Sequence, residues 1–352
     1  MKRGKVMKKK ILALGMIFIM VLAMTACGKS GGSGDQETWN LKFSIAGSEN
    51  IRMSQLWKEW ADMITEKTDG RVTFTFYYDS TLLDANGEYA QLTAGVADIA
   101  DIHRYASDGF TMLEKWKGFT MGTPIGGQVA ITKELFEKYP ELQKETDSVH
   151  PLAYAFDGGT YQLLTVNKEV DSVDDMKGLV IWCEADFNDF VKGMGATPVN
   201  TPWSEVYSSL QKNMYDGLLI AAETLESVNF AEVCQYCTMV NLNYLTQPGH
   251  FMNLDVWNSL PDDIKAVFND EEVVNFIESN MEKSAHEAEQ EGIQWAIDNH
   301  GTKVIELSAE EQQKFIDVLN ESKKSIAEAF DSEGLPGTEI LNTMIELSKQ
   351  YE

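Results

Sequence analysis

Residues 40–78 read NLKFSIAGSENIRMSQLWKEWADMITEKTDGRVTFTFYY, and their pattern decides the fold class. Asn40 to Ala46 alternates and is rich in Leu, Phe and Ile, the signature of a strand. Gly47-Ser48-Glu49-Asn50 is a turn. Met53, Leu56, Trp57, Trp60, Met63 and Ile64 then fall at helical spacing, and Gly70 closes that segment. Val72 to Tyr78 alternates again with β-formers. A second helix from Asn86 to Gly95 leads into a strand from Ile99 to Ile102. The order β-α-β-α-β predicts a mostly parallel sheet with helices on its faces.

The pattern restarts downstream. Leu163 to Val166 and Leu179 to Cys183 read as strands, Asp186 to Met194 as a helix, and Thr197 to Val199 as a short strand. A helix from Ser204 to Asn213, a strand from Gly217 to Ala221 and a helix to about Tyr236 complete a second α/β unit. From Pro261 onward the chain reads as almost wholly helical, and Glu271 to His300 can hold one helix long enough to brace two lobes. Open α/β sheets bind ligands beyond the carboxyl ends of their strands, so two such lobes place a small molecule in the cleft between them.

The N-terminus carries an export signal. Lys2, Arg3, Lys5, Lys8, Lys9 and Lys10 precede an apolar run from Ile11 to Met24, which is 14 residues and suits a signal-peptide core better than a membrane span. Either Met1 or Met7 serves as the start, because Met7 to Lys10 already makes a basic leader. Met24-Thr25-Ala26-Cys27 resembles a bacterial lipobox, in which the peptide is cut before a Cys that carries a diacylglycerol. Residues 1–26 are thus expected to be a signal peptide and 27–38 a lipidated flexible linker rich in Gly and Ser. Two acyl chains suffice for stable attachment, so the protein is expected at the outer face of the cell membrane. The alternative is an uncleaved anchor helix with an incidental Cys.

Residues 39–352 form one continuous globular composition, and the chain is 43% hydrophobic. Net charge is −26, and loss of the basic leader brings it near −32. Such a surface argues against nucleic acid and against anionic headgroups as partners. Cys234-Gln235-Tyr236-Cys237 is a lone CxxC without a second pair, and it reads as a helix end with Cys234 packed like Ala. His286-Glu287 is followed at position 290 by Gln290 and makes no zincin motif, and the histidines at 103, 150, 250, 286 and 300 show no ligand spacing. Gly193-Met194-Gly195-Ala196-Thr197-Pro198 follows a helix and ends in Pro, so it is no dinucleotide fingerprint. With no nucleophile elbow and no P-loop either, nothing points to an enzyme, a metal or a cofactor.

Several phrases, in order, resemble the solute-binding proteins of TRAP transporters (DctP-type). These are Leu41-Lys42-Phe43-Ser44 with Glu66 to Val72, Asp174-Asp175-Met176-Lys177-Gly178-Leu179, and Met194 to Val199. Glu205-Val206-Tyr207 through Asp216-Gly217, Ala222-Glu223, Phe230 to Val233, Met252-Asn253, Trp257 to Pro261 and Gly334 to Gly337 continue the series. The resemblance covers nearly all of residues 40–352. It implies an α/β, two-lobed, periplasmic-binding-protein-like (type II-like) fold with a long bracing helix and a helical C-terminus. Lobe 1 is expected at about 39–160 plus crossover segments after 245, and lobe 2 at about 163–240 plus part of the C-terminal helices. It further implies an extracytoplasmic receptor that hands a small solute, for most of the family an organic acid, to TRAP permease membrane subunits driven by an ion gradient. A ligand-sensing lipoprotein for a membrane kinase would share the fold and the tether.

The family's carboxylate-holding Arg follows its "KGLKI" phrase, but Lys177-Gly178-Leu179-Val180-Ile181 is followed here by Trp182. Trp offers no planar two-point contact to a carboxylate. The arginines after Cys27 are Arg52, Arg71 and Arg104. Arg71 reads as structural, while Arg52 and Arg104 lie on the carboxyl-end side of the first sheet. Three readings of Trp182 follow: a packed strand residue, an apolar wall beside an acid held by Arg104 or Arg52, or part of a site for another ligand. In the last case Trp182, Trp203 and Tyr161 with Glu184 and Asp186 surround a cation, or Trp182 stacks on a sugar-like or aromatic ligand. Ser48, Glu49, Tyr105, Thr160 and Glu223 are further cleft candidates by their place at strand ends.

Overall fold

The computed structural model describes residues 37–84, 87–102, 110–120, 127–154, 160–243 and 249–351. The proposed signal peptide, Cys27 and nearly all of the linker lie outside them, as do Arg104 and Tyr105. Trp39–Glu352 forms one compact unit.

The opening stretch folds as read. β1 (Trp39–Ser44), α1 (Arg52–Lys67) and β2 (Val72–Tyr77) form a parallel pair with a crossover helix. Met53, Leu56, Trp57, Trp60, Ala61 and Ile64 make the buried stripe of α1. Asp69 and Gly70 both adopt positive φ (51° and 77°), which ends the helix and reverses the chain. Arg71 then pairs with Asp263 and lies over the Trp39 ring at 5.5 Å, a structural role.

α2 (Glu88–Thr93) and β3 (Ile99–Asp101) continue the first sheet, and a 3-10 turn spans Leu113–Phe119. α3 (Gln128–Lys138), α4 (Pro140–Lys144) and β4 (Val149–Ala153) follow. The second sheet is built from β5 (Tyr161–Thr165), β6 (Val180–Trp182), α5 (Asn188–Gly193), β7 (Thr197–Val199), α6 (Trp203–Gln211), β8 (Gly217–Ala221), α7 (Thr224–Ser227) and β9 (Tyr236–Leu242). β10 (His250–Asn253) returns to the first sheet, followed by α8 (Leu254–Ser259) and α9 (Asp262–Phe268). α10 (Glu271–His300), β11 (Lys303–Glu306), α11 (Ala309–Ser332) and α12 (Gly337–Ser348) complete the chain.

The strand orders are β2-β1-β3-β10-β4 and β11-β9-β5-β8-β6-β7. Both sheets are mixed, which corrects the mostly parallel expectation: β10 is antiparallel to β3 and β4, and β5 to β8 and β9. The helix read up to Tyr236 stops at Ser227, and Tyr236 opens β9 instead. Asn229 in the left-handed region (φ 60°) breaks it. β4, β10 and β11 are also additions, each short and paired with strands far away in sequence.

α10 has the bounds its sequence indicated. Asp270 caps it by accepting from the Glu272 N–H, and Gly301 at φ 70° closes it. Its first half (Val273, Ile277, Met281) packs under the first sheet, and Ala296 packs under the second. α11 spans both lobes too: Phe315 and Leu319 join the core of the second sheet, and Ile326, Ala327 and Phe330 that of the first.

Candidate functional site

Both sheets present the carboxyl ends of their parallel strands to the chain crossings. β4 ends at Ala153 and β5 starts at Tyr161; β9 ends at Leu242 and β10 starts at His250. Seven residues separate the strands at each crossing. A chain covers at most about 3.5 Å per residue, so each crossing holds the two strand-end edges within about 28 Å of each other. The space between them is the candidate ligand cleft.

On the first lobe's edge, Asp101 ends β3 and His250 opens β10, opposite it in the ladder. Both are buried. The Ala46 N–H donates to Asp101 Oδ2 at 3.3 Å. The His250 ring stacks on Trp57 (4.0 Å between centroids, 25° between planes), with the edge of Phe43 at 6.2 Å. Ser48 follows β1; its Oγ is enclosed and makes no hydrogen bond to another described residue. Asp101 and His250 were not singled out from the sequence. The one local signal is a polar residue ending an apolar strand; the pairing of β10 with β3 joins positions about 150 residues apart, which no local pattern reveals.

On the second lobe's edge, Trp182 ends β6. It is 4% exposed, packs in the core with Val206 and Leu210, and donates from Nε1 to the Thr201 carbonyl at 3.2 Å. Trp203 opens α6 with its ring 5.7 Å from that of Trp182, and Phe230 meets Trp203 edge-on at 5.7 Å. An amide cluster ties β6 to β7: Asn200 Nδ2 donates to the Cys183 carbonyl at 2.7 Å, and Asn188 and Asn200 bond at 3.2 Å. Glu184 precedes the 3-10 turn Ala185–Phe187, and Glu223 precedes α7. Tyr161 is buried against Phe187, centroids 5.3 Å apart. Thr160 Oγ1 donates to Asn243 Oδ1 at 2.9 Å where the crossing strands leave the sheet.

The structure therefore brings Trp182 and Trp203 into contact and sets Tyr161, Glu184 and Glu223 at the same sheet edge. The Arg52 guanidinium faces α10, 3.9 Å from Glu287, beside a groove of about 130 Å³ lined by Leu56, Glu59, Asn280, Lys283 and Ser284. Lys323 is buried, and burial brings its pKa down to about 8. It sits on α11 between Leu319 of the second lobe's core and Ile326 of the first's. The CxxC thiols of Cys234 and Cys237 are free, buried and pushed up to about 12 by desolvation, so they are neutral packing groups.

The profile of the bacterial extracellular solute-binding protein family 7, DctP, matches residues 43–329. The C4-dicarboxylate-binding protein DctB of Bacillus subtilis (strain 168) is 24% identical over 325 residues, covering 90% of this chain and 88% of that one. The C4-dicarboxylate-binding periplasmic protein DctP of Rhodobacter capsulatus is 26% identical, with 54% of this chain and 56% of the relative covered. A shorter match, 28% identical over 120 residues, spans 35% of a Haemophilus influenzae protein. Among solved structures, a TRAP periplasmic solute-binding protein from Desulfovibrio salexigens superposes with a TM-score of 0.72 at 26% identity, covering 89% of this chain and 96% of that one. One from Rhodoferax ferrireducens T118, in complex with benzoate, gives 0.78 at 21% identity, with 89% and 98% covered. The two-lobed α/β fold, its bracing helices and the match over residues 43–329 together establish that the chain belongs to the DctP family of bacterial extracellular solute-binding proteins, the binding proteins of TRAP transporters, and is not an enzyme.

Proposed function

We propose that the protein is anchored through a lipid on Cys27, captures a small organic acid between its lobes and delivers it to TRAP permease subunits in the membrane. The observation that supports this most is the pair of strand-end edges, joined by two short crossings and spanned by two helices. That arrangement lets ligand contacts made only in the closed state supply the free energy of closure. Relatives are named for C4-dicarboxylates and for sialic acid, and fold neighbours hold benzoate and orotic acid, all carboxylates. In this reading Arg104 holds the carboxylate, and the half-buried Trp203 ring, backed by the packed Trp182, walls the site. Calorimetry with succinate and benzoate tests it: Arg104→Ala should abolish binding while the fold survives, and unchanged affinity would reject the assignment.

One observation favours a second reading, a cationic ligand. The Trp182 and Trp203 rings meet at the second lobe's edge, and Glu184 and Glu223 lead into short helical turns at the same edge, a combination that suits a quaternary amine. A quaternary amine such as choline would then raise the melting temperature while succinate and benzoate leave it unchanged; the reverse result excludes this reading.

A further inference from the structure

The strands that carry the chain between lobes do not pair regularly. Tyr161 faces Leu242, but Leu163 faces Thr238, so three residues of β9 stand opposite Gln162 alone. Asn241 takes up the surplus at φ 52°, in the left-handed region. Gln162, fully buried, replaces the missing ladder bonds with its side chain. Its Oε1 accepts from the Asn241 N–H at 2.9 Å, and its Nε2 donates to Asn241 Oδ1 at 2.9 Å and to Glu289 Oε1 at 2.8 Å. Both hydrogens of the amide are thereby used.

Glu289 lies on α10 between the part packed on the first lobe, ending at Met281, and the part packed on the second, at Ala296. It is 7% exposed. The same irregularity is held from its other side by α11, where Gln312 Nε2 donates to the Val240 carbonyl at 3.0 Å. A few residues further on, Gly292 brings the α10 backbone against the end of β8, where an added Cβ would lie 2.9 Å from Glu223 Cα. So β5, β9, α10 and α11, four of the elements that carry the chain across or span both lobes, meet at one polar cluster.

We propose that the Gln162–Asn241–Glu289 cluster is the pivot that sets the resting angle between the lobes, with Glu289 as a positioning residue that acts through Gln162. The bulged strand lacks regular ladder bonds, so it bends at low cost, and the side-chain bonds fix where it bends. Removing the acceptor on α10 leaves a buried amide hydrogen unsatisfied and frees the helix from the strands.

The test is the distance between spin labels on the two lobes of the full ligand-free chain. Val96→Cys and Met214→Cys supply exposed labelling sites, Cys27→Ser removes the N-terminal thiol, and the native buried cysteines stay unlabelled. Glu289→Ala should shift and broaden the distance distribution, while Glu289→Gln, which keeps an acceptor, should retain the wild-type width. Gln312→Ala should broaden it to a smaller degree, and it serves as the reading if Glu289→Ala does not fold. Asn253→Ala removes a buried side chain that bonds within the first lobe, to Leu92, Thr93 and Val256, and should lower the melting temperature without broadening. A wild-type distribution in both Glu289→Ala and Gln312→Ala, or equal broadening by Asn253→Ala, would overturn the proposal.

Discussion

The two strand-end edges that flank the cleft are built from different chemistry. The first lobe's edge buries two ionisable side chains, Asp101 and His250, the latter against the rings of Trp57 and Phe43. The second lobe's edge is an aromatic and amide surface: Trp182 on Trp203, and Asn188 bonded to Asn200, with the acids Glu184 and Glu223 at its margin. Burying an ionisable group demands partners and rigid packing around it. An aromatic wall demands only shape. The first edge is therefore the more sensitive to packing, and the second the more sensitive to charge.

The largest expected effect tests the first half of that contrast. Trp57→Ala removes a fully buried indole that stacks on His250 and meets Phe43 and Trp60, and it should cost about 3–5 kcal/mol in urea unfolding. A loss of under about 1 kcal/mol would show that the first edge is not a packed support. Trp182→Arg restores the residue type that the family usually carries, yet here the pocket is the core beside Val206 and Leu210. It should destabilise by about 3 kcal/mol. A stable variant with gained affinity for succinate would instead show that the position opens to the cleft.

Titration sharpens the comparison between the lobes. His150 in β4 stacks on Trp257 at 3.7 Å, and burial holds its pKa down at about 4 against an ordinary 6.5. Between those values the unfolded chain binds a proton that the folded chain does not, so stability falls as pH drops from 6.5 to 4. His150→Phe should remove that part of the slope in unfolding curves measured across the interval. Glu289 has the opposite sign: desolvation raises its pKa above the ordinary 4.5, so its contribution declines as pH rises from there through the raised value. Glu289→Gln should remove this decline.

Smaller effects belong to the surface. Asn200→Ala loses the bond to the Cys183 carbonyl and the amide pair with Asn188, worth about 1 kcal/mol by thermal unfolding. Arg52→Ala breaks a 3.9 Å ion pair between half-exposed side chains and should change stability by about 0.5 kcal/mol or less.

The sequence carried the elements whose signal is local. The α1 stripe from Met53 to Ile64, the stop at Gly70 and the full extent of α10 were legible, because helical spacing and stops are written within a turn or two. β9, β10 and β11 were not, because short strands inside a sheet are chosen by distant partners: β10 pairs with β3 and β4, and β11 with β9. For the same reason the reading named Tyr161, Trp182, Glu184, Trp203 and Glu223, which lie on one edge, but not Asp101 and His250 on the other.

By itself, then, the sequence determined an acidic globular body, two α/β lobes and a long helix to brace them, since each follows from composition or periodicity read over neighbouring residues. Tertiary structure alone decided that Trp182 is packed into a core, that Arg52 faces α10, and that Gln162 joins Asn241 to Glu289. Those are facts about which groups share a neighbourhood after more than 100 residues of chain have returned. No pattern along the backbone encodes such returns one at a time; only the joint packing of both sheets does.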